Sequence, residues 1–369
     1  MAWNCRLLSF LRCVACGFGL LFSTAAYSEP TLVIYADEQL LGRGSLGAAI
    51  FPTFEKKYRC KIKPVGFSDY GQFLSRLEFE QAKSNQTKTP ARAHLLMGFD
   101  QSVWSRLKFY TESWGDDWIP EGYQQLRSET KIERDFLPFS YGILSFMVDL
   151  EQVKDKRLTE QLLSANLSVN DLLRPEWRRK VLLEDPRTSS VGLEFLLFTR
   201  SVFGDEVWKF WERFKSQWLT LTPEWEGAYR MFLHQEAPLV WSYVSSQAFH
   251  AKAGQQDRYR AVLFKEGQPY QVFGAALGGL SKRTKEETEL SRRFLEFLIS
   301  EEVQLLVPET FWILPARKNT SLPASFRDLP KPNRLTLSVP KPGEAKDLIH
   351  QWSLNVLSPQ SKLTLKNEK

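Results

Sequence analysis

The run Val181-Leu182-Leu183-Glu184-Asp185-Pro186-Arg187-Thr188-Ser189-Ser190-Val191-Gly192-Leu193-Glu194-Phe195-Leu196-Leu197-Phe198 decides the fold class. Val181 to Leu183 reads as a short buried strand, and Pro186 forbids its continuation because proline cannot donate to a ladder. Thr188, Ser189 and Ser190 are helix N-cap types, and Leu193, Leu196 and Leu197 then recur at helical spacing. A strand therefore feeds a loop and then a helix N-terminus. Free N–H groups and hydroxyls at such a point suit a phosphate or carboxylate, although an ordinary capped helix is the plainer alternative. Arg187 is expected to pair with Asp185 or Glu184.

The same alternation runs outward through the chain. Thr31 to Ala36 (TLVIYA) reads as a first strand, followed by a polar, Gly-rich loop from Asp37 to Gly47 and a helix over Ala48 to Tyr58. Cys60 to Gly66 is a second strand, and Pro64 marks it as a bend or an edge. Asp69 caps a helix carrying Phe73, Leu74 and Leu77, and His94 to Phe99 is a third strand ended by Asp100. Short apolar strands alternating with helices predict a parallel α/β sheet. Ligands in such sheets sit at strand carboxyl ends, where Tyr35, Asp37, Asp69 and Asp100 fall. Pro138 to Gly142 and the strand after it read as a crossing into a second lobe. Ser168 to Trp177 is expected as a short helix, Asp205 to Trp218 as a Trp-rich amphipathic helix whose rings are core, and Pro223-Glu224-Trp225 as the start of another. Pro238 to Tyr243 is a strand and Gln271 to Leu280 a Gly-rich β segment. Helices follow at Glu286 to Ser300 and Glu302 to Val307, then the aromatic loop Phe311 to Pro315, a Pro-rich wrap from Leu322 to Gly343 and a last helix over Ala345 to Leu357.

The 369 residues, 43% hydrophobic with 12 Trp, hold one large or two medium domains and exclude disorder. Arg6 and Arg12 precede the apolar run Cys13 to Phe22, and Ala26-Tyr27-Ser28 has the form of a signal-peptidase site, so an exported product beginning at Glu29 is expected. Cys16 offers a faint lipobox as the minority alternative. Cys5, Cys13 and Cys16 lie in that leader, leaving Cys60 alone and no intrachain disulfide. Loss of Arg6 and Arg12 lowers the formal charge of +6 by two, and the basic residues are scattered, so nucleic-acid binding is not expected. His94 on a buried strand reads as a core histidine, His234 and His250 lack partners at metal-ligand spacing, and no G-x-S-x-G, P-loop or H-E-x-x-H is present. Neither a metal nor a cofactor nor catalysis is expected.

Seven segments together carry a family resemblance: VGFSDYGQFLSRL (65–77), LLMGFD (95–100), DFLPFSYGILSFMVDL (135–150), LLEDPRTSSVGL (182–193), TPEWEGAYRMFL (222–233), LVWSYVSSQAFH (239–250) and FWILPA (311–316). The chain resembles the thiamine-binding periplasmic proteins of ABC importers, within the type II solute-binding fold. That resemblance implies an α/β fold of two lobes with the ligand cleft between them and two interlobe crossings. It divides the chain into a signal peptide (1–28), lobe 1 (29–139 and 269–330), lobe 2 (140–268), a C-terminal wrap and helix (331–358) and a tail (359–369). The family's ligand contacts fall on Asp69, Tyr70, Ser189, Ser190, Trp225 and Tyr243-Val244-Ser245-Ser246, with Trp312 facing the cleft. Asp100 and Asp37 are added as strand-end candidates. Three positions depart from the family: Asp37 stands where it carries a stacking Tyr, its nearby Trp is missing from Leu40 to Gly47, and Ser140 replaces an Asp.

The implied function is capture of thiamine, and of its mono- and diphosphates, in the periplasm by a monomer that delivers the ligand to an ABC permease. Thiamine joins an aminopyrimidine to a permanently cationic thiazolium, so Trp225, Tyr243 and Trp312 are candidates for aromatic faces and Asp69 for the carboxylate. Ser189, Ser190, Ser245 and Ser246 are candidates for phosphate donors. Each has a plainer alternative, since Asp69 is equally a helix cap and Trp225 equally core. The rival readings are another organic cation or phosphate ester in the same fold, an exported hydrolase or transferase on a related scaffold, and a sensor module.

Overall fold

The computed structural model describes residues 29–87, 93–164 and 166–358. The expected leader with its cleavage point, the leader cysteines and the tail 359–369 lie outside them.

The first lobe opens with β1 (Thr31–Asp37), which lies between β2 (Lys61–Phe67) and β3 (Leu95–Asp100) and parallel to both. β2 is the edge, where the missing N–H of Pro64 costs the ladder nothing. Ser45 caps α1 (Leu46–Tyr58) by accepting from Ala48 N, and Leu46, Ile50 and Phe54 bury one stripe of it. α2 (Tyr70–Thr87) and the short α3 (Gln101–Leu107) complete this part.

β4 (Leu137–Asp149) is 13 residues long and belongs to both lobes. Leu137 to Ile143 pair with the first lobe's strands, and Leu144 to Asp149 pair with the second's. In the second lobe follow α4 (Lys156–Leu163), β5 (Val181–Glu184), α5 (Ser190–Phe203), α6 (Val207–Phe214), β6 (Trp218–Thr222), α7 (Trp225–Leu233), β7 (Leu239–Tyr243), α8 (Ser246–Lys252) and β8 (Tyr259–Val262). The chain returns in β9 (Gln268–Leu277), and α9 (Lys285–Leu298) packs back on the first lobe. Each lobe has its own core, one built on Phe54, Leu95 and Phe294 and the other on Phe146, Phe195 and Trp241.

The strand–loop–helix at 181–198 stands as expected. The sheet is mixed, which corrects the parallel expectation: β4 and β9 run antiparallel to each other, and each also runs antiparallel to its flanking neighbour. The reason is connectivity, since a chain that leaves one lobe along β4 and returns along β9 must reverse direction. The Trp-rich helix ends at Phe214, where Gln217 N bonds Phe214 O, and Trp218-Leu219-Thr220-Leu221-Thr222 continues as β6. Ser168 to Trp177 forms two 3-10 turns, and the helix expected at Glu302 to Val307 is split into Glu301–Gln304 and Val307–Thr310.

Beyond the two crossings the chain passes between the lobes once more. Leu314–Pro315 pairs with β4, and Leu335–Thr336 pairs with the start of β9. The helix Glu344–Trp352 then inserts Leu348 and Trp352 into the second lobe's core. Cys60 is buried and free, and among the described residues no helix is long and apolar enough to cross a membrane.

Candidate functional site

A cavity of about 470 Å³ lies where the strand ends of the two lobes face each other. That size suits a small molecule. Of the residues singled out in the sequence, Asp37, Tyr70, Ser190, Trp225, Tyr243, Ser246 and Trp312 line it. Sequence reasoning missed Glu38, Glu226, Tyr229, Phe249, Phe273 and Phe311, which line it as well. Helical spacing from Trp225 offered a signal for Tyr229, and adjacency to Trp312 one for Phe311.

The remaining candidates are placed elsewhere. Asp69 caps α2, its Oδ1 accepting from Gln72 N at 2.8 Å and its Oδ2 from Gln72 Nε2 at 2.8 Å. It sits in a small niche beside the main cavity with Phe67, Phe73 and Met97. Ser189 caps α5, accepting from Gly192 N at 3.3 Å. Val244 turns its side chain into the core and gives its N–H to Ile143 O, and Ser245 is buried. Asp100 is buried behind the wall, accepting from Ser102 N at 2.8 Å, Ser102 Oγ at 2.5 Å and Gln271 Nε2 at 3.0 Å. The Tyr70 hydroxyl donates to Gly98 O at 3.3 Å, and Ser190 Oγ accepts from Gln271 Nε2 at 3.2 Å. Gln271 Nε2 therefore links the start of α5 to this buried carboxyl group.

Eight of the lining residues are aromatic, and neighbours hold the central rings in place. Trp225 opens α7, its indole N–H donating to Ser242 Oγ at 2.9 Å, and Ser242 Oγ lies 2.9 Å from Ser246 Oγ. Its ring stacks on Tyr229 at 4.8 Å, and the Tyr229 hydroxyl lies 2.9 Å from His250 Nε2. Tyr243 ends β7, packs against both cores and donates to Gln271 Oε1 at 2.6 Å. Gln271 had no sequence signal, lying in an apolar run, yet it ties Tyr243 to Asp100 and to Ser190 Oγ, 3.2 Å away. Trp312 has a φ of 57°, a left-handed backbone that bulky residues rarely adopt, and its ring meets Phe249 edge-on at 5.1 Å.

Gly142 leaves the space that the Tyr243 ring fills. A Cβ at that position would lie 2.6 Å from Tyr243 Cδ1, inside any real contact distance. Because Gln271 holds the ring's far end, it has little room to yield. Gly142→Ala is expected to lower stability by about 1–3 kcal/mol through overpacking and to weaken ligand binding by displacing Tyr243. A thermal melt paired with a titration checks this; unchanged values in both would show that the ring moves freely.

The charge in the cavity has one sign. Asp37 ends β1 with Oδ1 accepting from Gln39 N at 2.9 Å, and Glu38 and Glu226 stand exposed at the walls. Burial pushes the Asp37 carboxyl up to about 7; the Gln39 N–H opposes this, while Glu38, Asp100 and Glu226 add to it. Burial also raises the Tyr70 and Tyr243 hydroxyls, with Asp100 and Asp37 adding to both. Among the described residues no Lys or Arg lines the cavity. Arg187 pairs with Asp185 as expected, at 2.5 Å. No group of His, Cys, Asp and Glu among the described residues is arranged to hold a metal ion.

Comparison with known proteins agrees with this architecture. Residues 107–337 match the family model described as bacterial extracellular solute-binding protein. The chain is 31% identical over 337 residues to a thiamine-binding periplasmic protein of Brucella abortus biovar 1 (strain 9-941), covering 89% of this chain and 92% of that one. It is 30% identical over 319 residues to the thiamine-binding periplasmic protein of Escherichia coli (strain K12), covering 85% and 89%. A solved structure named periplasmic thiamin binding protein superposes with a TM-score of 0.71 at 28% identity, covering 89% of this chain and 96% of that one.

Proposed function

The chain belongs to the bacterial extracellular solute-binding proteins, in the branch of the thiamine-binding periplasmic proteins, and on that premise we propose that it captures thiamine for an ABC importer. A member of this family is a transport component and not an enzyme. The observation that carries the ligand is the cavity wall, in which the indoles of Trp225 and Trp312 and the phenol of Tyr243 accompany Asp37, Glu38 and Glu226. Aromatic faces attract a desolvated cation by about 0.5–2 kcal/mol each. A carboxylate pairs with the same charge or accepts from the pyrimidine amine. The carboxylate role first assigned to Asp69 passes to Asp37, because Asp37 lines the main cavity and Asp69 lies in the niche beside it.

The mechanism is closure of two lobes on one molecule. Asp37 and Tyr70 stand on the first lobe; Ser190, Trp225, Tyr243 and Ser246 stand on the second. A ligand touching both sets binds the closed form more tightly and shifts the population toward it. The working division is lobe 1 over 29–139 and 269–330, lobe 2 over 140–268, and a wrap over 331–358. Export to the periplasm after cleavage at Ser28, action as a monomer and delivery to a membrane permease complete the proposal.

Calorimetric titration of refolded, ligand-free protein with thiamine tests it. Saturable one-to-one binding is expected, and Trp225→Ala should weaken it by about 1 kcal/mol or more through loss of the ring face. Heat-silent titrations together with an unshifted melting temperature would remove thiamine as the ligand. Full affinity in a folded Trp225→Ala variant would remove that indole from the site.

A further inference from the structure

We infer that His250, which stands behind the cavity wall, is the positioning residue for its aromatic face, holding Tyr229 and through it Trp225 where a cation would meet them. The inference rests on the cavity being the thiamine site and adds a residue that acts on that site without touching the ligand.

Three observations carry it. First, the imidazole is 1% exposed and both of its nitrogens are engaged. Nε2 lies 2.9 Å from the Tyr229 hydroxyl, and Nδ1 lies 3.1 Å from Gln255 Oε1. An amide oxygen only accepts, so Nδ1 carries the proton and Nε2 of the neutral ring accepts from Tyr229. Burial lowers the pKa of this imidazole, which keeps the neutral form at pH 7. Second, Tyr229 lines the cavity and stacks on Trp225, with ring centroids 4.8 Å apart and planes 25° from parallel. The indole N–H of Trp225 is held by Ser242 Oγ at 2.9 Å, so Ser242 sets the edge of that ring and Tyr229 sets its face. Third, His250 is itself anchored. Its ring stacks on Tyr259 at 3.9 Å, and Tyr259 N donates to Gln255 O at 3.2 Å. The Arg258 guanidinium lies 4.8 Å from the Tyr259 ring centroid and is paired with Asp149 at the end of β4. One imidazole thereby ties the cavity wall to the strand that both lobes share.

A buried hydroxyl without an acceptor is costly, so a Tyr229 that lost Nε2 would turn to find another partner. A ring that turns no longer backs Trp225. Attraction of a cation to an aromatic face requires the charge to stand over the ring, so a tilt weakens binding without deleting any contact residue.

Thiamine titrations of His250→Leu, His250→Gln and Tyr229→Phe, each paired with a thermal melt, test this. Both His250 variants lose the stack on Tyr259 and should melt earlier than the parent. Only the amide of His250→Gln offers the Tyr229 hydroxyl an acceptor. Affinity should fall about three- to tenfold in His250→Leu and in Tyr229→Phe, the range of one lost hydrogen bond, and stay within about twofold of the parent in His250→Gln. The double variant His250→Leu/Tyr229→Phe should bind no more weakly than either single one, because both changes remove the same interaction. In the ligand-free protein, the imidazole nitrogen NMR signals of His250, assigned by their absence in His250→Gln, should show a protonated Nδ1 and an unprotonated Nε2. Full affinity in His250→Leu or in Tyr229→Phe would overturn the positioning role. An equal loss in His250→Gln would also overturn it, since packing alone would then account for the effect. A protonated Nε2 would overturn the bond on which the role depends. Should His250→Leu not fold, Tyr229→Phe decides. A parent that binds no thiamine would instead defeat the thiamine reading, and the nitrogen signals would still decide whether His250 holds Tyr229.

Discussion

Asp37→Lys is expected to abolish measurable thiamine capture, a loss on the order of 100-fold or more, while Asp37→Asn should weaken it about tenfold. The difference follows from charge. Two unit charges about 4 Å apart interact by about 4 kcal/mol at the effective dielectric of a partly buried site, so a change from attraction to repulsion exceeds the simple loss of attraction. Stability should move the other way for the Asn variant. Burial holds the Asp37 carboxyl at about 7, which means that the fold disfavours its charged form. A neutral amide removes that disfavour, so Asp37→Asn should melt no earlier than the parent. pH gives a further check. A cation prefers the ionised carboxylate, and ionisation in the free protein is gained as pH rises through about 7. The affinity should therefore be weak at pH 5.5, climb through neutrality and level off above pH 8. The groups facing Asp37 are Glu38, Asp100, Glu226 and the Tyr70 hydroxyl, and none of them supplies a positive charge that would keep Asp37 ionised at low pH. In Asp37→Asn the climb should flatten. A parent profile flat from pH 5.5 to 8, or an Asp37→Lys variant that still binds, would take Asp37 out of the site.

Much of the fold was legible because local rules and global packing agree. The apolar run Val181 to Leu183, the stop at Pro186 and the cap at Ser189 each point to the same strand–loop–helix, and α5 follows. Pro64 marked a bend or an edge, and β2 is an edge strand. What escaped was non-local. Whether β4 and β9 run parallel or antiparallel to their neighbours depends on which lobe the chain returns to, and no window of residues records that. Trp218 continued a Trp-rich amphipathic pattern in sequence, so the switch to β6 was hidden behind rings that are buried in either conformation.

The site divides along the same line. Trp225 early in a helix, Tyr243 at a strand end and Trp312 in a loop stood out as aromatic candidates, and all three reach the cavity. Asp69 and Asp37 were indistinguishable as strand-end carboxylates until the structure placed Asp37 on the wall of the main cavity and Asp69 in the niche beside it. Glu226 reads as an ordinary first-turn acid of α7, and its significance comes from the carboxylates it faces on the other lobe. Gln271 is the clearest case. Nothing in its apolar surroundings advertises an amide that joins Tyr243, Asp100 and Ser190, because the need for it arises only where β9, α5 and the end of β3 meet.

Trp352→Ala carries the largest expected cost to stability, about 3–5 kcal/mol, the range for deleting a buried indole. The ring is fully buried, meets Trp211 edge-on at 5.7 Å and lies nearly parallel to Trp218 at 6.4 Å. Those partners belong to α6 and β6, so a residue near the end of the described chain closes the second lobe's core. It also reaches toward the site. The Arg187 guanidinium lies 6.0 Å from the Trp352 ring centroid and is bound to Asp185, whose backbone carbonyl accepts from Ser189 N at 2.9 Å. Loss of the indole leaves a cavity beneath the loop that positions the cap of α5. Urea unfolding followed by far-ultraviolet circular dichroism should show a clearly lower midpoint, and the folded fraction should bind thiamine more weakly than the parent. An unchanged midpoint would mean that the terminal helix rests on the lobe without supporting it, and that the third passage between the lobes contributes no stability. A lowered midpoint with full affinity would confine the effect to the core and separate Arg187 from the positioning of α5.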